Sequence, residues 1–342
     1  MLTGLHQCVE PFVQNNEWEG GQIIIYGRIT TLDEPQYVDV SVTASTARVP
    51  IQISTARVEL VDQDGQREDY QLESPGKYRL DRQKITVVPG RAYHVEVQLE
   101  NGDRYASEPE IMPLLTARDT SYFEPRVPPG TLDDKILVSN QRLTVLADTR
   151  IPQGSPPQLL RWHVQEVYVF PPTDFPDPFN TIPPPCYATE YPNAQLVNLF
   201  DGEVYKVNQI DRQVVARRPI DQSFRGRHYF TVYSSALTRR AFTYWQQVSL
   251  IANQSGSIFD TPPAAIKGNV YRVGDPEEKV LGYVEANDVN FSRFFVVPGW
   301  LPYLIIDECQ YIPGKDYFTY PKACLDCVSP PGRVREKPPY FE

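Results

Sequence analysis

Apolar and polar positions begin to alternate with period two at Gln22 and keep that habit for about ninety residues. Ile23, Ile25 and Tyr26 precede a break at Gly27, and Val38, Val40 and Val42 fall on one face of the next run, the pattern of strands with one buried face. Val58 and Leu60 share a face in a third run ending at Asp62-Gln63-Asp64-Gly65, residues that tolerate the positive φ of a tight hairpin. Tyr70 and Leu72 alternate on the return. Pro75-Gly76 turns the chain into Tyr78 and Leu80, Pro89-Gly90 leads to Tyr93, Val95, Val97 and Leu99 on one face, and Asn101-Gly102 closes a hairpin onto Tyr105. About seven short strands, with turn signals roughly every ten residues, predict an immunoglobulin-like or prealbumin-like β-sandwich over residues 22–113.

Residues 116–130 carry Pro125, Pro128 and Pro129 without sustained periodicity, which fits a linker or a crossing strand. A larger β-rich domain is expected over residues 114–306. Leu143, Val145 and Ala147 alternate, the segment Leu159 to Phe170 holds Trp162, Val164, Val167 and Val169, and a proline-rich loop from Pro171 to Pro185 interrupts the sheet. Gly226 to Tyr233, Lys279 to Ala286 and Arg293 to Val297 supply further strands. One stretch breaks the β rule. Ser234 to Asn253 lacks Gly and Pro, and Leu237, Ala241, Trp245, Val248 and Ile251 recur at three- and four-residue spacing. This predicts an amphipathic helix over residues 235–252 whose apolar stripe packs on a sheet, capped by Ser234 or Ser235 and ended near Gly256. Residues 307–342 form a proline-rich tail of little periodicity.

Composition supports this picture. The 342 residues include 33 prolines, against an average near 5%, which excludes an all-helical bundle because proline removes a backbone donor and fixes φ. Hydrophobic residues make up 41%, enough to bury a core, so the chain should fold. The net charge of -10 opposes a phosphate backbone and argues against nucleic acid as a partner. No apolar run of about 18 residues is present to span a bilayer as a helix.

Catalytic chemistry finds little purchase, and the expectation is a protein that is not an enzyme and carries no cofactor or metal. Only His6, His94, His163 and His228 are available as imidazoles, and each reads as a surface or packing residue. No HExxH, GxSxG, P-loop or dinucleotide fingerprint occurs. Asp62-x-Asp64-Gly65 resembles the start of a calcium loop, but the segment up to Glu73 reads as a strand, so a hairpin is the better reading. The pairs Asp133 with Asp134 and Glu277 with Glu278 read as solvated loops. The candidate binding surface is aromatic: Tyr168, Phe170, Phe175 and Phe179 in and before the proline-rich loop, with Tyr187 and Tyr191 after it. Rigid loops carrying aromatics make a recognition surface of low ordering cost, while the same rings could instead pack on their own sheet.

Of five cysteines, Cys8 stands alone, whereas Cys186, Cys309, Cys324 and Cys327 sit in proline-rich loops. The four allow three disulfide pairings. A zinc knuckle at Cys324-Leu-Asp-Cys327 is the rival reading, weakened by the lack of a second CxxC.

Several segments together resemble a known family. They are Cys8-Val-Glu-Pro-Phe12, IIIYGRIT, GKYRL, GRAYHVEVQLENGDRYASEPE, LRWHVQEV, YSSALTRRAFTYWQQV, GSIFDTPPAAIKGNVY, VLGYVEA, ACLDC and the terminal PPYF. In this order they are similar to the Bacteroidota outer-membrane lipoproteins catalogued as domain of unknown function 4249. The resemblance implies lipidation at Cys8, with residues 1–21 as anchor and flexible tether. Seven residues precede Cys8, and His6 and Gln7 stand where the family has small residues. It further implies a lipid-anchored, cell-surface location at the outer membrane, with a TonB-dependent transporter as partner whose substrate the protein captures or whose barrel it helps to gate. A structural or adhesive surface protein, and a hydrolase of a surface polymer, are the alternatives. The cysteine pairing expected is Cys309 with Cys324 and Cys186 with Cys327.

Overall fold

A computed structural model describes residues 21–44, 49–126, 141–170, 185–192, 196–253, 266–301, 305, 307, 309–328 and 332–341. The protein is mainly β. The lone Cys8 of the expected anchor, Phe175, Phe179 and the Asp133–Asp134 pair lie outside the described residues.

Two sheets form the first sandwich. One orders Val284–Asn287, Ile23–Thr30, Gln36–Val42, Lys77–Leu80 and Gln71–Ser74; the other orders Val270–Arg272, Arg104–Ser107, Ala92–Gln98, Arg57–Asp62 and Arg67–Asp69. The alternating residues of the sequence meet in one core: Val38, Val40, Val58, Leu60, Tyr78, Leu80, Tyr93, Val95 and Val97 are all buried there. Leu72 departs from its expected pattern. Its strand is an exposed edge, and Leu72 is 48% exposed. The hairpin at Asp62 is built as its residues require: Asp62 Oδ1 accepts from the amides of Asp64 and Gln66 at 3.0 and 2.9 Å, and Gly65 takes φ +79°.

Two strands of this sandwich come from beyond residues 22–113. Val284–Asn287 runs parallel to Ile23–Thr30, and Val270–Arg272 pairs with Arg104–Ser107. The expected strand Lys279 to Ala286 thus closes the first sandwich. Gly282 makes the approach possible, since at φ +100° a Cβ would stand 2.0 Å from the Ile25 carbonyl oxygen.

A second sandwich packs the sheet Arg118–Arg126, Arg142–Arg150, Gln209–Pro219 on the sheet Val289–Val296, His228–Ala236, Leu159–Phe170, Cys186–Glu190, Arg333–Val334. Leu143, Val145, Ala147 and Val215 from one side meet Leu160, Trp162, Val164, Phe230 and Val232 from the other. As far as it is described, the stretch after Thr116 is a nine-residue strand, Arg118–Arg126, paired along its whole length with Arg142–Arg150; Pro128 and Pro129 lie outside the described residues.

The amphipathic helix spans Arg239–Asn253, later than its pattern suggested. Ser234 and Ser235 do not cap it. They lie fully buried in His228–Ala236, whose neighbours on both sides claim their backbone groups. Thr238 takes over, its Oγ1 accepting from the Ala241 amide at 3.1 Å. Ala241, Phe242 and Tyr244 pack with Leu159, Leu237 and Tyr283, so the helix sits where the two sandwiches meet. Ile251 is 38% exposed and falls outside the expected stripe.

The disulfide Cys186–Cys327 ties the tail to the second sandwich, and Cys309–Cys324 closes a loop within the tail. Among the described residues no helix is long and apolar enough to cross a membrane, and no group of three or more His, Cys, Asp or Glu is arranged to hold a metal ion.

Candidate functional site

Strand pleating decides which side chains face the junction between the sandwiches. Along Leu159–Phe170 the even residues Leu160, Trp162 and Val164 enter the second core, so Arg161, His163 and Gln165 point to the opposite face. Along Ile23–Thr30 the residues Ile23, Ile25 and Ile29 enter the first core, so Tyr26 and Arg28 point outward. The two outward rows meet in a cleft of about 350 Å³, with Trp245 of the helix, Glu285 and Tyr191 among its walls.

Charge in the cleft is distributed unevenly. The parallel register sets Glu285 beside Arg28, yet the Glu285 carboxylate is committed elsewhere. It receives both terminal nitrogens of Arg161, at 3.1 and 2.6 Å, and the Trp245 indole N–H at 2.9 Å. Arg161 also lies 4.1 Å from the Trp245 ring, and both partners of this ion pair are buried. Arg28 is left with one side-chain acceptor among the described residues, His163 Nε2 at 3.3 Å. Burial pushes the Arg28 guanidinium below its ordinary pKa; the charge of Glu285 opposes this, Arg161 adds to it, and Glu34 opposes it more weakly.

His163 answers to the same surroundings. Burial, then the charges of Arg28 and Arg161, hold its imidazole well below the usual range. The ring is therefore neutral at pH 7. Because Arg28 donates to Nε2, the proton resides on Nδ1, an atom that is buried without a partner. Tyr233 stacks on this ring with centroids 4.8 Å apart. Gln165 donates to the Tyr191 hydroxyl at 3.1 Å, and Tyr191 is 56% exposed at the rim.

The aromatic set singled out in the sequence is divided by the fold. Tyr168 and Phe170 are buried with the Cys309 and Cys324 disulfide, and Tyr187 is buried against Phe341 and Tyr229, so these three serve packing. Tyr191 alone among the described members reaches the cleft. Arg28, Arg161, Trp245 and Glu285 were not singled out as site residues; nothing in a β alternation marks an outward arginine as one that faces a second domain.

A second polar cluster is internal. His228, fully buried between Phe224 and Phe230, lies 3.0 Å from Glu166 through Nε2, and Glu166 receives Arg218 Nε at 2.8 Å. Burial alone would raise the Glu166 pKa, but His228 and Arg218 hold it below the ordinary carboxylate range. Glu166 thus bridges His228 and Arg218, while His228 Nδ1 is buried without a hydrogen-bond partner among the described residues. His94 sits apart, 3.4 Å from Glu96 at the surface of the first sandwich.

A family model described as Domain of unknown function (DUF4249) matches residues 9–292. No curated protein matches the chain. Among solved structures, one described as "Structural insight into host cell surface retention of a 1.5-MDa bacterial ice-binding adhesin" aligns at 8% identity and a TM-score of 0.17, covering 79% of this chain. The chain spans 62% of the length of that structure.

Proposed function

We propose, for a chain that belongs to the family described as Domain of unknown function (DUF4249), a non-enzymatic recognition role at the outer membrane. In this reading the protein is a lipoprotein anchored through Cys8 that accompanies a TonB-dependent transporter and presents or gates delivery of its substrate. The observation that supports it is the cleft between the sandwiches, where aromatic rings and a guanidinium that, among the described residues, is hydrogen-bonded to no carboxylate are held on paired strands and a packed helix. Such a surface is preorganised, so little ordering cost is incurred on binding.

The test is purification from the native host in mild detergent through a tag on the C-terminus. A β-barrel transporter co-eluting in defined stoichiometry is the result expected, together with a mass increment of a lipid on the peptide containing Cys8. An unmodified Cys8 thiol in protein from that host would remove the anchor. Recovery of the protein without any barrel would leave a structural or adhesive surface role in its place.

A further inference from the structure

We infer that Arg28 is the anchor of a binding site for a small ligand carrying a single carboxylate, seated in the cleft between Tyr26, Tyr191 and Trp245. The inference deepens the recognition reading by giving the ligand a chemical class, and rests on it only in taking the cleft as a place where something binds.

The argument begins with the donor inventory. A guanidinium has five N–H groups in a planar fork, and among the described residues the only side chain that accepts from Arg28 is His163, at 3.3 Å. The natural partner, Glu285, is turned away by its bidentate bond to Arg161 and its bond to Trp245. Glu285 therefore offers Arg28 its charge but no hydrogen bond, and a half-buried guanidinium keeps N–H donors open to an anionic ligand in the cleft. His163 supplies no charge, being a neutral acceptor kept uncharged by burial and the two arginines beside it.

The surroundings select the ligand. Two parallel N–H donors match a planar carboxylate in bidentate fashion. A dianion such as phosphate is disfavoured relative to a monoanion, because Glu34 and Asp39 line the same cleft and the whole chain carries a net charge of -10. The volume of about 350 Å³ lies at the small end of ligand pockets, which run from about 300 to 1,000 Å³. The faces of Tyr26, 43% exposed, and Tyr191, 56% exposed, offer the body of the ligand flat apolar surface close to the anion site. A peptide C-terminus and an acidic sugar share this chemistry.

Isothermal titration calorimetry of the full chain at pH 7 and low salt, with N-acetyl-alanyl-alanine, sodium glucuronate and inorganic phosphate as separate probes, decides the matter. One-to-one binding of at least one carboxylate probe is expected, weakened tenfold or more by Arg28→Gln and less by Arg28→Lys. Tyr191→Ala, at an exposed position that leaves the core untouched, should weaken the same probe several-fold with an unchanged melting temperature. Binding of the peptide alone assigns a C-terminal carboxylate, and binding of glucuronate alone an acidic sugar. Failure of both carboxylates, tighter binding of phosphate, or an affinity in Arg28→Gln unchanged from the native chain would each overturn the inference. Barrel capture from the native host is a separate readout, so either result can fail while the other holds.

Discussion

His163 and Glu166, three residues apart on one strand, are pushed to lower pKa values with opposite consequences for their charge. For His163 the folded state favours the neutral ring, chiefly through burial. The unfolded chain, with an imidazole pKa near 6.5, then binds more protons than the folded one, and stability must rise with pH in the window below about 6.5. Chemical denaturation across roughly pH 5 to 7 should show that slope, and His163→Gln should flatten it. Glu166 is a carboxylate whose folded pKa is depressed by His228 and Arg218 against the effect of burial. Its contribution is present above the unfolded carboxylate pKa, near 4.3, and is lost as pH falls through the folded value. Glu166→Gln removes the charge that partners two buried cationic or polar groups, so a loss of about 3–5 kcal/mol at pH 7 is expected, with a shallower acid limb. Calorimetric melting at pH 7 and pH 3 measures both.

At the level of elements, the helix and the parallel strand show where local preference yields to pairing. Ser234 and Ser235 have the chemistry of helix caps, but each sits between two strands that take up its backbone groups, Trp162 and Asn290 on either side of Ser234 and Arg161 and Val289 on either side of Ser235. A central strand outbids a cap because it satisfies donors and acceptors on both edges. Thr238 is left to start the helix, and Thr238→Ala should cost about 1 kcal/mol in denaturant unfolding, the usual worth of a cap. Gly282 is the more severe point. At φ +100° with Ile25 carbonyl oxygen in the place of a Cβ, Gly282→Ala cannot keep the parallel pairing of Val284–Asn287 without backbone movement. A loss of at least about 2 kcal/mol is expected from strain and clash together, and because Glu285 lies on that strand, the Trp245 fluorescence should change as well.

Over the whole molecule, the two disulfides constrain a tail that has little core of its own. Cys186–Cys327 closes a separation of 141 residues and Cys309–Cys324 one of 15. Chain-entropy arguments assign about 5 and about 3 kcal/mol to loops of these sizes, with real values commonly smaller. The double variant Cys186→Ser with Cys327→Ser should therefore lower stability more than Cys309→Ser with Cys324→Ser, and limited proteolysis should release the tail first. A melting temperature unchanged by reductant would contradict this account. The same scale governs the cleft, whose walls come from residues between 26 and 39 together with Tyr283 and Glu285 on one side, residues 161 and 191 on the other, and Trp245 of the helix.

The sequence by itself determined most strands and turns of the first sandwich, because alternation of period two and the glycine or Asx residues of hairpins act over a few residues: Val38 with Val40, Tyr93 with Val95 and Val97, and Asp62 through Gly65 all stand where their pattern put them, whereas the strand Gln209–Pro219 carries no such signal. It also supplied the cysteine pairing as one choice of three. What only the tertiary structure decided is which outward residues meet. Arg28 reaches His163 across 135 positions, Arg161 reaches Glu285 across 124, and Tyr26 reaches Tyr244 across 218. Periodicity tells which face of a strand a side chain occupies and is silent on what covers that face, so the aromatic loop drew notice in the sequence while the cleft around Arg28 came into view only when the two sandwiches were packed together.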